Sequence, residues 1–79
     1  MSLITTLFLM EQYGPRLSME QLADVLGLAA TTLHARIGRG DLDIPTYVDG
    51  KMRFADTRDV AEYLDRKRAE ARKALGVAA

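Results

Sequence analysis

The stretch Leu17-Ser18-Met19-Glu20-Gln21-Leu22-Ala23-Asp24-Val25-Leu26-Gly27-Leu28 holds the start, the buried face and the stop of one helix. Ser18 with Gln21 three residues on is a capping-box pattern, so a helix starts there. Met19, Leu22, Ala23 and Leu26 form one apolar stripe, widened by Val25. Gly27 occupies the place of a C-cap glycine. A second short helix follows, from Ala30 to Arg39, and Gly40 stops it. Each residue advances about 100° around a helix. On that count Ala30, Leu33 and Ile37 share one face. Thr31, Ala35, Gly38 and Arg39 lie opposite, with Thr32 beside them. Ala29 takes the N-cap position and offers no oxygen to the first amides, so Thr31, Thr32 or a phosphate has to serve them. Two helices joined by a tight glycine turn, the second with an exposed polar face, read as a helix-turn-helix.

Downstream, Thr46-Tyr47-Val48, Asp49-Gly50 and Lys51-Met52-Arg53-Phe54 read as a hairpin. Asp49-Gly50 is its expected two-residue turn, of type I′. Asp56 caps a final helix, with Asp59 near the positive end of the dipole. Val60, Ala61, Leu64, Ala71 and Leu75 give that helix its apolar stripe, and fraying is expected after about Arg72. Upstream, Leu3, Ile4, Leu7, Phe8 and Glu11 follow helical spacing, and Gly14-Pro15 ends the segment. The apolar members of this stripe either cover a thin core or join subunits. The expected architecture is mainly α with a small β-hairpin, a winged helix-turn-helix. It is one domain over residues 1–79: an N-terminal helix at 3–13, the helix-turn-helix at 18–40, the wing at 45–55 and a C-terminal helix at 56–73.

Composition narrows the function. A chain of 79 residues buries only about 60% of its unfolded surface, so its core is thin. There is no cysteine and one histidine, which argues against disulfides and against a zinc cluster. The longest apolar stretch, Leu7-Phe8-Leu9-Met10, is far too short to span a bilayer, and no basic region precedes it. A soluble, cytoplasmic protein is expected. No phosphate loop, metal-ligand spacing or catalytic triad is present, so the sequence points away from an enzyme, a cofactor or a small-molecule substrate.

Eleven basic and eleven acidic residues give a net charge of zero. A lone copy should therefore bind a polyanion weakly, and tight binding would need several subunits acting together. The positive charge lies towards the C-terminus. Arg36 and Arg39 project from the second helix of the pair, where they can neutralise phosphate or reach guanine. Lys51 and Arg53 flank the hairpin turn, where a wing would touch the DNA backbone or the minor groove. Thr31 and Thr32 can bond base edges or simply cap their helix, and Ala30 and Ala35 permit close approach. His34 reads as a packed surface histidine or as a base reader. The candidate DNA-binding set is thus Ala30, Thr31, Thr32, His34, Ala35, Arg36, Arg39, Lys51 and Arg53. The candidate oligomerisation set is Leu3, Ile4, Leu7 and Phe8. Arg66-Lys67-Arg68 is either a solvated face, with Glu62–Arg66 and Asp65–Arg68 pairs, or a contact to DNA backbone. Tyr47 and Phe54 are expected to pack onto the helices.

Residues Leu17 to Arg68 resemble AlpA-like and excisionase-type helix-turn-helix domains, the MerR/excisionase-like class of winged fold. The resemblance rests on the opening stretch quoted above, Arg39-Gly40, the apolar-proline step Ile44-Pro45, the short wing, and the aspartate-capped helix from Asp56 to Arg68. In AlpA-like proteins the recognition helix opens with serine followed by arginine or lysine; Ala29 and Ala30 stand there in this chain. The ends, Phe8-Leu9-Met10-Glu11-Gln12-Tyr13-Gly14 and Tyr63-Leu64-Asp65-Arg66-Lys67-Arg68-Ala69-Glu70-Ala71-Arg72-Lys73, are similar to the pyocin-activator family of phage-related transcriptional regulators. The resemblance implies binding to double-stranded DNA in a bacterial prophage or mobile element. The neutral charge and the N-terminal apolar stripe add the expectation of a homo-oligomer, a dimer or a cooperative array. Transcriptional activation is one form of this, and an excisionase that bends DNA is the other. A protein-interaction module without DNA binding is the alternative from another class, supported by the neutral charge.

Overall fold

A computed structural model describes residues 3–76, which form four helices and a three-stranded antiparallel sheet. In chain order these are α1 (Leu3–Tyr13), β1 (Arg16–Ser18), α2 (Met19–Leu26), α3 (Ala30–Gly38), β2 (Tyr47–Asp49), β3 (Met52–Asp56) and α4 (Thr57–Ala74). The capping box is made in both directions. Ser18 Oγ accepts from the Gln21 amide at 3.2 Å, and Gln21 Oε1 accepts from the Ser18 amide at 3.0 Å. At the other end of α2, Gly27 turns left-handed at φ 70°. Its amide and that of Leu28 return to the carbonyls of Asp24 and Ala23, so the orphan acceptors are satisfied in the Schellman manner. The same pair of bonds, Gly40 to Ile37 and Asp41 to Arg36, ends α3.

The core gathers at the junction of all the elements. Leu17 and Ala55 supply it from the sheet, Met19, Leu22 and Ala23 from α2, Leu33 from α3, and Val60 and Ala61 from α4. Leu9 and Ile44 close it. Leu26, Val25, Ile37 and Leu64 pack around the edge. Asp56 caps α4 as expected, its carboxylate accepting from the Arg58 amide at 2.8 Å.

Several expectations are corrected. Strand β1 was not expected; it adds a third strand, and the sheet order is β1-β3-β2. The hairpin turn lies at Gly50-Lys51, because Asp49 pairs with Met52 and Tyr47 with Phe54. Of the two turn residues only Gly50 carries a positive φ, 67°, which is the II′ pattern and not I′. A two-residue slide of this kind keeps each side chain on its face. It exchanges Met52 for Phe54 as the partner of Tyr47, giving an aromatic cross-strand pair. Those two rings contact each other at 6.2 Å between centroids, with Tyr47 exposed and Phe54 partly buried. In α1 it is Thr6 and Leu9 that turn inward, while Leu3, Ile4, Leu7 and Phe8 face outward; the expectation that this stripe covers the core fails. In α4 the buried stripe stops near Leu64, Ala71 and Leu75 are exposed, and the helix continues through Ala74. Ala30 is exposed, not buried with Leu33.

Candidate nucleic-acid interface

Helix α3 is fixed by one buried anchor, Leu33, with Ile37 partly buried behind it. That anchoring turns Thr31, Thr32, His34 and Ala35 outward, together with Ala30 at the start and Arg39 at the end. Arg36 is partly buried. Ala29 provides no side-chain cap. The first amides of α3 therefore point to solvent as donors, at the positive end of the helix dipole.

The hairpin stands beside this helix. A cleft of about 280 Å³ opens between them, lined by Ser18, Met19, Glu20, His34, Lys51, Met52 and Arg53. The structure thus brings His34 of α3, Lys51 of the turn and Arg53 of β3 to one place. Lys51 is exposed, and Met52 beside it is a large exposed apolar side chain. Arg53 is half-buried, and its Nη1 donates to Thr46 Oγ1 at 2.9 Å. The guanidinium has five donors in all. Arg39 lies at the far end of α3, 3.7 Å from Asp41 in an exposed pair.

Some of the basic residues are paired with acids. Arg16 pairs with Asp49, Arg58 with Asp56 and Lys67 with Glu70. Arg66 donates to the Asp43 carbonyl at 3.1 Å, and Asp65 accepts from Thr5 at 3.2 Å. The Glu62–Arg66 and Asp65–Arg68 pairs expected from spacing are not formed among the described residues. Of the α4 run, Lys67 reaches Glu70 three residues on, Arg66 reaches back to Asp43, and Arg68 is exposed. Among the described residues, Arg36, Lys51 and Arg53 enter no salt bridge, and neither do Arg66, Arg68 and Lys73 of α4. Glu20 is the acidic residue that shares the cleft.

A second cleft, of about 570 Å³, is lined by Asp43, Asp59, Glu62 and Asp65 with Arg66. Its acidic lining repels phosphate and marks a face that DNA would avoid. Among the described residues no three His, Cys, Asp or Glu side chains are grouped to hold a metal ion. No described helix is long and apolar enough to cross a membrane.

Sequence reading missed Arg16. Its guanidinium lies 3.7 Å over the Phe54 ring and bridges to Asp49, fastening the hairpin to β1. The available signal was the polar-apolar-polar alternation of Arg16-Leu17-Ser18, which three residues carry only weakly. The chain matches no protein-family model, no curated protein and no solved structure.

Proposed function

We propose that the protein is a sequence-specific DNA-binding regulator, a winged helix-turn-helix of the MerR/excisionase-like class that activates transcription in a prophage or mobile element. One observation carries the reading. His34, Lys51 and Arg53 converge on a single cleft between α3 and the hairpin, beside the exposed polar face of α3. In this reading α3 enters the major groove with Thr31, Thr32 and Ala35 towards the bases. Arg36 and Arg39 bind phosphate or guanine, and Lys51 and Arg53 bind backbone beside the groove. Capless amides at the start of α3 add donors for a phosphate oxygen. The protein acts on cytoplasmic DNA and is not an enzyme. With zero net charge, its affinity depends on several copies binding together.

Fluorescence anisotropy with random and prophage-derived duplexes at low salt tests the proposal. Binding to both, tighter on the prophage DNA and weakening steeply with salt, is expected. No detectable binding to either duplex at low salt would overturn it. Footprinting and bending assays on the same DNA then separate activation from excision, because an excisionase bends several adjacent sites.

A further inference from the structure

Helix α1 wears its amphipathicity inside out. Thr6 is buried, and Thr5 Oγ1 donates to Asp65 Oδ1 of α4 at 3.2 Å. Of the large apolar side chains only Leu9 joins the core, and the others face away: Leu3 is 70% exposed, Ile4 81%, Leu7 55%, Phe8 59% and Met10 38%. They form two adjacent rows, Leu3-Leu7-Met10 and Ile4-Phe8, spaced by four and three residues as in a helix-pairing seam. An aromatic side chain carries roughly 150–250 Å² and an aliphatic one somewhat less, so these five at their exposures present on the order of 500 Å². A patch of this size on a monomer is commonly functional.

We infer that this face is the seam of a two-fold dimer, in which α1 of one copy packs antiparallel on α1 of a second copy. Area supports the occupant: full coverage of two such faces would bury about 1,000 Å² together, the lower limit for a specific interface. The pairing is isologous, so a single self-complementary patch suffices. Charge fixes the direction. Glu11 is the one charged residue of α1, and α1 has no acidic residue in its first turn. In a parallel pair Glu11 would face Glu11. In the antiparallel pair Leu7 meets Leu7 at the axis, and Glu11 of each copy sits beside the first turn of the other. There it meets the positive end of the helix dipole. A membrane surface fits less well, because α1 carries no lysine or arginine to meet anionic headgroups. The α1 seam shares no residue with the α3–hairpin cleft, so both can be occupied at once.

Sedimentation of the DNA-free protein from about 1 to about 100 µM tests this, and its outcome is separate from that of DNA binding. Twice the chain mass at the upper concentrations is expected for the parent protein. Phe8→Glu should remain monomeric throughout with an unchanged circular dichroism spectrum. If Phe8→Glu unfolds, Ile4→Glu decides in the same way. For direction, Leu7→Cys should oxidise to a self-linked dimer, and Leu3→Cys should link to Glu11→Cys in a mixture but not to itself. A parent protein monomeric at about 100 µM overturns the inference, whether or not it also partitions onto phosphatidylglycerol vesicles. So does a folded glutamate variant that keeps the dimer mass, and so does self-linking of Leu3→Cys.

Discussion

Arg16 of β1 reaches across β3 to Asp49 at the end of β2, where its Nη1 donates to Asp49 Oδ2 at 2.8 Å. Its guanidinium passes 3.7 Å from the centre of the Phe54 ring, and Phe54 in turn contacts Tyr47. The four side chains lie on the outer face of the sheet and tie all three strands together. Lys51 follows Asp49 in the turn, so its position depends on this fastening.

Arg16→Ala should therefore loosen the hairpin more than the rest of the fold. Hydrogen exchange of the β2 and β3 amides should accelerate several-fold, while exchange of α2 changes little, because local opening reports local contacts. Equal acceleration everywhere, or none in the hairpin, would show that the hairpin is held by other means.

Thr57 is fully buried at the start of α4, and its Oγ1 donates to the Gly14 carbonyl at 2.7 Å. Its amide donates to the Pro15 carbonyl at 3.2 Å. One residue thus closes the α1–β1 turn onto α4. Thr57→Val leaves a carbonyl without its partner and should cost about 1–3 kcal/mol. Thr57→Ser keeps the hydroxyl and should cost less. Urea unfolding of the two variants checks the order; a valine variant as stable as the parent would contradict it.

The Asp56 carboxyl is held below the ordinary aspartate value of 3.8, first by the hydrogen bond from the Arg58 side chain and then by the Arg58 amide. A depressed acid stabilises the fold fully above its unfolded value and loses that contribution as pH falls through the folded one. Stability from this group should therefore be level from neutral pH down to about 4 and decline below it. Asp56→Ala should cost about 1 kcal/mol at neutral pH, as the removal of an N-cap does, and should flatten that acid decline. Thermal unfolding across the pH range reads both effects, and an acid decline equal to that of the parent protein would remove Asp56 from the account.

Legibility in the sequence followed the range of the forces. Helix α2 was readable at both ends because Ser18, Gln21 and Gly27 act within a few residues. The exposed face of α3 was readable because Leu33 sets it alone. The face of α1 was not: the segment is apolar on most sides, so periodicity could not select Thr6 and Leu9 over Leu7 and Phe8. Strand β1 has three residues and owes its conformation to pairing with β3. The turn favoured by Asp49-Gly50 locally yields to Gly50-Lys51, because only that register pairs Tyr47 with Phe54. In the candidate site the individual cations were visible in the sequence. Their convergence with His34 depends on how the hairpin sits against α3, a relation no local spacing encodes.

The salt dependence of DNA affinity tests the central claim most directly. Removing one cation that neutralises a phosphate reduces the steepness of log K against log salt by about 0.9. The variant Arg36→Ala/Lys51→Ala/Arg53→Ala, with its fold verified by circular dichroism, should bind random duplex with a slope shallower by about two to three than that of the parent protein. A folded triple variant with the full parental slope would show that α3 and the hairpin do not meet DNA.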